Sequence, residues 1–110
     1  MGDGAVTAIQ TWSDLIERLG KAGKKLVVLE FWATWSEPSK YMKQAYKDLA
    51  NDFKEVEFYT LDVDKFKDLA ENAGVEALPT FMLIKEYDVE DTVVGVKKEQ
   101  LRKSITAKLK

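Results

Sequence analysis

Hydrophobic residues repeat along the chain with two different spacings. In residues 12–19 and 42–53, apolar side chains recur every three or four positions with polar side chains between them, which predicts amphipathic helices. Residues 26–32 and 80–84 are instead short and nearly continuous apolar runs, a pattern typical of strands that are covered on both faces. The chain is therefore predicted to pack helices against a buried sheet.

Weaker patterns complete an alternation of strands and helices. Residues 5–9 have the character of a short strand, and residues 55–64 alternate between apolar and polar positions as a strand does. A short amphipathic helix is predicted to follow, and Gly74 is placed to stop it. Strands that are separated by helices in this way are predicted to pair in parallel.

The C-terminal part departs from this alternation. A strand is predicted at residues 92–96, and only a charged turn over residues 85–91 separates it from the strand at 80–84, so this pair is predicted to be a hairpin. A last helix places Leu101, Ile105 and Leu109 on one face. The predicted fold class is α/β, in the order βαβαβαββα, with a mixed central sheet flanked by helices on both sides. No linker or repeat is evident, so residues 1–110 are predicted to form a single domain.

Composition excludes several classes of function. The 110 residues are 45% hydrophobic with a net charge of −2, and the lysines are scattered among acidic residues, so neither nucleic acid nor an anionic membrane is an expected partner. The N-terminus does not resemble a signal peptide, and no apolar run approaches the roughly 20 residues of a membrane span. We expect a cytoplasmic, monomeric protein.

The chain contains neither cysteine nor histidine. Disulfides, thiolate nucleophiles, imidazole bases and the usual zinc and copper ligands are therefore excluded, and no metal or cofactor is predicted. Asp62 and Asp64 lack the glycine and the terminal glutamate of a calcium-binding EF-hand loop. They are predicted to end a strand and to cap the helix that follows.

The stretch "ATWSEPSKYM", residues 33–42, combines a good helix start with side chains that could form a site. Ser36 is a favourable N-cap, Glu37 is a favourable acid in the first turn, and Pro38 lies where its missing N–H costs nothing. A serine nucleophile needs a base, and the chain has no histidine. Lys40, the neighbour of Ser39 on a helix, should point about 100° away from it. The residues therefore do not support a serine hydrolase.

Four segments, in their order and setting, resemble the thioredoxin family: "LEFWATWSEPSK", "LDVD", "ALPTF" and "VVG". The resemblance implies a thioredoxin fold. It also implies the family's activity, which is that of a thiol-disulfide oxidoreductase that transports electrons and reduces protein disulfides. It places Ser36 and Ser39 at the positions of the two redox cysteines, Glu30 at the position of a buried acid, and Pro79 at that of a cis proline. Because both cysteine positions hold serine, the redox-active centre is lost and this chain is expected to be inactive as an oxidoreductase.

The same resemblance implies a recognition surface that does not depend on sulfur. In the family, an apolar ring around the active-site turn binds an extended segment of the partner protein. Carried over to this chain, the surface consists of Trp35, Glu37, Pro38, Leu78, Pro79 and Gly95. The implied partners are protein substrates or client peptides in extended conformation, with thioredoxin reductase as the family's usual electron donor.

Two interpretations of the serines stay open. Oxygen replaces sulfur at both positions while the rest of the frame is intact, which favours a thioredoxin with both cysteines changed to serine. Further departures from the family pattern, at Glu30, Glu37, Gln44 and Thr60, favour a natural redox-silent binding or chaperone module. One departure carries its own prediction: Thr60 stands where the family has a lysine close to the buried acid, so the pKa of Glu30 is predicted to be raised.

Overall fold

A computed structural model of the protein describes residues 5–109, in which five strands and four helices follow one another in the predicted order. They are β1 (Val6–Ala8), α1 (Trp12–Ala22), β2 (Val27–Trp32), α2 (Glu37–Asp52), β3 (Glu57–Asp62), α3 (Lys67–Asn72), β4 (Thr80–Lys85), β5 (Asp88–Val94) and α4 (Lys98–Lys108). The predicted domain of residues 1–110 extends past the described residues at both ends. None of the helices within residues 5–109 is long and apolar enough to cross a membrane.

The strands form one mixed sheet in the order β1-β3-β2-β4-β5. β3 pairs in parallel with β1 and with β2, whereas β4 pairs antiparallel with β2 and β5. The most apolar run in the sequence becomes β2, the central strand, in which residues 27–31 are all buried. The predicted α/β class and the mixed central sheet are therefore confirmed.

The helices cover the two faces of the sheet with separate hydrophobic layers. One layer joins α2 and α4 to the face that carries Val28 of β2. The other joins α1 and α3 to the opposite face, which carries Val27, Leu29 and Phe31. Successive side chains of a strand point to opposite faces, so β2 contributes to both layers. This explains why its apolar run is nearly continuous instead of alternating.

The hairpin between β4 and β5 corrects the sequence-based prediction. The turn contains only Glu86 and Tyr87, with φ angles of 50° and 72°, and β5 begins at Asp88, so the predicted turn over residues 85–91 was too long. Two successive residues with positive φ form the tight connection that suits the twist of a hairpin. Because β5 is an edge strand with mostly exposed side chains, its polar first half was mistaken for a turn.

Tyr46 of α2 packs against the sheet and hydrogen-bonds to it. Its buried ring makes an edge contact with Phe58 and a tilted contact with Phe81, with ring centroids 5.4 Å apart in each pair. Its hydroxyl lies 2.7 Å from the carbonyl oxygen of Tyr59 and 3.0 Å from that of Val28. The single hydroxyl proton is therefore shared between carbonyls of two neighbouring strands, with the shorter distance to Tyr59.

Tyr46→Phe is expected to lower the free energy of unfolding by about 1–2 kcal/mol, because it removes a buried hydrogen-bonding group while keeping the ring. Urea denaturation at neutral pH measures the change. Tyr41→Phe is the matched control, since Tyr41 lies on the same helix with an exposed side chain and should change stability little. Equal effects of the two substitutions would contradict a stabilising role for the Tyr46 hydroxyl.

Candidate functional site

The N-terminus of α2 follows the end of β2 and places Ser36 and Ser39 one turn apart. Ser36 is the N-cap residue, with φ −92° and ψ 112°, and its Oγ accepts a hydrogen bond of 3.3 Å from the backbone N–H of Ser39. Glu37 and Pro38 are the first two residues of the helix, where a backbone N–H has no intrahelical partner. The missing N–H of Pro38 therefore costs no helical hydrogen bond. The predicted helix start at Ser36-Glu37-Pro38 is confirmed.

The two serines are both buried but differ in their partners. Ser36 is 5% exposed and Ser39 is 4% exposed. The Ser36 Oγ has a partner in the Ser39 amide, whereas the Ser39 Oγ finds no hydrogen-bond partner within residues 5–109. A buried hydroxyl without a partner is unusual, because most buried polar groups in folded proteins are hydrogen-bonded.

Trp35, just before the N-cap, has an exposed ring whose orientation is fixed. Trp35 is 66% exposed, and its Nε1–H donates to the Asp64 carboxylate, with 3.1 Å to Oδ2 and 3.4 Å to Oδ1. This contact was missed from the sequence, where Asp62 and Asp64 were predicted to cap α3. The predicted cap was wrong: the Asp62 side chain accepts from the Asp64 amide, and the N-cap residue of α3 is Phe66, which makes no side-chain cap. Asp62 does end β3, as predicted.

A groove of about 340 Å³ lies beside Trp35 and brings it together with Leu78. The lining also includes Val63, Asp64 and Val75. The peptide bond from Leu78 to Pro79 is cis. This connection immediately precedes β4, so the start of β4 and the start of α2 meet at the same end of the sheet.

Gly95 is tied to the cis connection through the backbone. Its N–H donates a hydrogen bond of 2.8 Å to the carbonyl oxygen of Pro79. The φ angle of Gly95 is 93°, a conformation that side-chain-bearing residues rarely adopt, which explains a glycine directly after β5. Gly95 is thus joined to Pro79, although it does not line the groove beside Trp35.

Glu37 faces solvent together with Lys40. The Lys40 Nζ lies 3.3 Å from the Glu37 Oε2, and both side chains are largely exposed. The pair is an ordinary surface contact between residues three positions apart on a helix. The negative charge of Glu37 at the rim of the site is therefore partly balanced by a neighbouring cation.

Glu30 lies inside the sheet, beneath α2. It is 4% exposed, and in the strand register it lies opposite Thr60 of β3 and Phe81 of β4. Burial raises the pKa of Glu30 to about 8, and the positive charge of Lys43 opposes this shift only partly. The predicted rise in the Glu30 pKa is confirmed. Lys43 comes from α2 and not from the neighbouring strand, so the sequence did not indicate this cation.

The arrangement offers binding contacts but no evident chemistry for making or breaking covalent bonds. The described part of the chain contains no group of three or more acidic side chains that could hold a metal ion. The Ser36 Oγ contacts a backbone amide instead of a base. What the geometry provides is an exposed aromatic ring, a groove next to it and a cis proline held by a backbone hydrogen bond.

Comparison with known proteins identifies the family. The thioredoxin family model matches residues 5–107. The chain is 40% identical over 101 residues to thioredoxin H3 of Arabidopsis thaliana, an alignment that covers 90% of this chain and 86% of that protein. A solved wild-type thioredoxin h of poplar superposes with a TM-score of 0.93 at 31% identity, covering 96% of this chain and 97% of the other. A chain of the solved complex of ferredoxin:thioredoxin reductase with thioredoxin f2 superposes with a TM-score of 0.90 at 32% identity, covering 100% of both chains. This chain belongs to the thioredoxin family.

Proposed function

We propose that this chain binds extended segments of client proteins through a thioredoxin-type surface, without carrying out disulfide exchange itself. The surface consists of the residues that the family resemblance assigned, namely Trp35, Glu37, Pro38, Leu78, Pro79 and Gly95. The observation that carries the proposal is the exposed Trp35 ring, which its hydrogen bond to Asp64 holds beside the groove that Leu78 lines.

A fixed aromatic ring is well suited to binding. An exposed tryptophan that is already oriented loses little conformational freedom when a partner covers it, and large aromatic residues supply much of the binding energy at protein interfaces. The adjoining groove of about 340 Å³ gives a client side chain a place to pack. Main-chain hydrogen bonds beside Pro79 would add an extended peptide in the manner of an extra strand.

The chain is not expected to exchange disulfides, the family's usual chemistry, because its sequence contains no cysteine. Disulfide exchange proceeds through a thiolate and a mixed disulfide, and serine can form neither. Binding without a covalent intermediate depends on noncovalent contacts alone, so we expect weak and short-lived complexes.

Two versions of this function differ in the origin of the serines. In the first, the chain is a thioredoxin of the cytoplasm with both redox cysteines changed to serine, and its natural electron donor is a thioredoxin reductase. A reductase partner is supported by the similarity to a chain of a solved reductase complex. In the second, it is a natural binding or chaperone module. The acidic residues Glu30 and Glu37 favour that version, because a change confined to the cysteines would leave other positions untouched.

NMR titration tests the binding surface. The probe is the isolated B chain of insulin with its thiols alkylated, so that no sulfur chemistry contributes, added to the ¹⁵N-labelled protein. We expect saturable shifts of the amide signals of Trp35, Leu78 and Gly95. Trp35→Ala is expected to weaken binding about tenfold, because it removes the main aromatic contact.

Val89→Ala is the control for this experiment. Val89 is also an exposed apolar residue, but it lies next to the hairpin turn, at the end of β4 and β5 away from Pro79. Its substitution should leave the affinity unchanged. The proposal would be wrong if the shifts clustered away from Trp35 and Leu78, or if Trp35→Ala bound the peptide as tightly as the original protein.

A further inference from the structure

A second concave site lies beneath α2, separate from the groove beside Trp35. This pocket has a volume of about 580 Å³ and is lined mainly by residues of α2 and of the strands β1, β3 and β2. Neither Trp35 nor Leu78 lines it. Its volume falls within the range of roughly 300–1,000 Å³ that is typical of small-molecule sites in proteins.

Part of the pocket wall is apolar. Val6 and Ala8 of β1 and Trp32 of β2 contribute to the lining, and Tyr46 of α2 contributes its mostly apolar ring. An apolar wall of this kind favours a ligand with a hydrocarbon body, because packing such a body against it removes apolar surface from water.

Two buried polar side chains on the pocket lining lack protein hydrogen-bond partners. The Ser39 Oγ is buried and finds no partner in the described part of the chain. The buried Glu30 carboxyl is affected by desolvation and by the charge of Lys43, with no hydrogen bond from any residue between 5 and 109. Buried polar groups normally have partners, so the two side chains leave room for a ligand atom to complete their bonding.

The polarity of these groups indicates the kind of ligand atom. The Ser39 hydroxyl is a donor, and Glu30, whose pKa is raised to about 8 by burial, is largely protonated at neutral pH and can donate as well. The ammonium group of Lys43, which also lines the pocket, adds a positive charge. Two O–H donors and a cation suit an acceptor that carries negative charge. A carboxylate on a hydrocarbon body meets both requirements, because the body packs against the apolar wall and the carboxylate accepts from the donors.

We propose that the pocket beneath α2 binds a small monocarboxylate with an aromatic or short aliphatic body. Its carboxylate accepts hydrogen bonds from Ser39 and Glu30 and faces Lys43, while its body packs against Val6 and Trp32. This site is independent of client binding, since it shares no lining residue with the groove beside Trp35.

Titration of the ¹⁵N-labelled protein with 3-phenylpropionate tests this site. We expect saturable shifts of the amide signals of Trp32, Ser39 and Lys43. The alcohol 3-phenylpropan-1-ol, which has the same body without the charge, is expected to bind about tenfold more weakly, because it cannot replace the charge-assisted contacts. Equal affinity of the acid and the alcohol, or no saturable shift at these amides up to the solubility limit, would overturn the proposal and leave a pocket that holds only water.

Two variants localise the carboxylate. Ser39→Ala is expected to weaken binding of the acid about tenfold without lowering the melting temperature, since the Ser39 Oγ has no partner to lose within residues 5–109. Ser13→Ala makes the same chemical change at an exposed position of α1 and should alter neither quantity. Lys43→Gln changes an exposed residue and should weaken the acid more than the alcohol. Unchanged affinity for the acid in either the Ser39 or the Lys43 variant would contradict the assigned carboxylate position.

Discussion

Replacing Ser36 and Ser39 together with cysteine is expected to convert a chain with no measurable reduction of insulin disulfides into a catalyst of that reaction. The donor of electrons in the assay is dithiothreitol, and precipitation of the insulin B chain is followed by turbidity. The original chain should match the background rate of the reagent alone. The double variant, Ser36→Cys with Ser39→Cys, should exceed that rate severalfold.

The expected gain follows from the chemistry of a dithiol. A thiolate at position 36 attacks a disulfide of the client, forms a mixed disulfide and releases one client thiolate, which takes up a proton. A thiolate at position 39 then attacks the sulfur at position 36 and releases the second client thiol, leaving an internal disulfide. Dithiothreitol reduces that disulfide and is itself oxidised, so each cycle transfers two electrons.

The geometry around position 36 suits this chemistry. The backbone N–H of Ser39 already points at the Ser36 Oγ, and the N-terminus of α2 favours negative charge there, so a thiol at position 36 should ionise more readily. Glu37 acts against this effect, but its charge is partly balanced by Lys40. The helix terminus and the amide therefore outweigh an exposed carboxylate whose field is screened by water.

Each single variant serves as a control for the double variant. Ser36→Cys alone should form a mixed disulfide that only dithiothreitol can release, because the chain has no second thiol, so its rate should stay close to the reagent background. Ser39→Cys alone should react slowly, because the Oγ at position 39 receives no hydrogen bond from a backbone amide that would favour a thiolate there, unlike the Oγ of Ser36. A folded double variant without turnover would contradict our prediction and favour a natural binding module. Turnover by the original chain above the reagent background would overturn the inference that it performs no disulfide exchange.

Glu30→Gln is expected to increase the free energy of unfolding at pH 7 by about 3 kcal/mol, the second large effect that the structure implies. The pKa of Glu30 rises from an ordinary value of 4.5 to about 8 because burial disfavours its charged form. At pH 7 the unfolded chain has lost this proton while the folded chain largely keeps it. Folding must therefore bind a proton at a pH where the free carboxyl is ionised, and this lowers the free energy of unfolding. A glutamine has the shape of the protonated acid and carries no such cost.

The same linkage fixes the pH dependence of stability. Since the folded pKa of Glu30 is raised, its favourable contribution is fully present below about pH 4.5 and is lost as the pH rises towards about 8. The difference in unfolding free energy between the Glu30→Gln variant and the original protein should therefore grow across this interval and then level off. Urea denaturation at several pH values measures it, with Glu55→Gln as a control at an exposed position. A difference that does not change with pH would show that Glu30 titrates normally in the folded protein.

The sequence predicted the fold well because its main signal was the burial pattern of whole elements. The continuous apolar run of β2 indicated a strand that packs on both faces, and it proved to be the central strand of the sheet. The pattern was misleading at β5, because an edge strand exposes most of its side chains and its polar residues resemble those of a turn. Patterns of polarity thus report burial more directly than they report backbone conformation.

The candidate site was predictable only in part, since its residues were assigned by family resemblance and its contacts depend on tertiary packing. The N-cap role of Ser36 is local and could be derived from the chain itself. The hydrogen bond from Trp35 to Asp64 joins residues that are 29 positions apart, and the approach of Lys43 to Glu30 joins a helix to a strand. No periodicity encodes such contacts, because they depend on how the elements pack.

The position of β2 between two hydrophobic layers has a consequence for how the protein opens. Transient opening of an edge strand, β1 or β5, would disturb one edge of the sheet and leave the other edge in place. Separating β2 from its neighbours would break both layers at once, which makes this strand part of the last cooperative unit to unfold. Trp35 and Ser36 lie shortly after the end of that strand, so the surface that we propose for client binding is attached to the most persistent segment of the molecule.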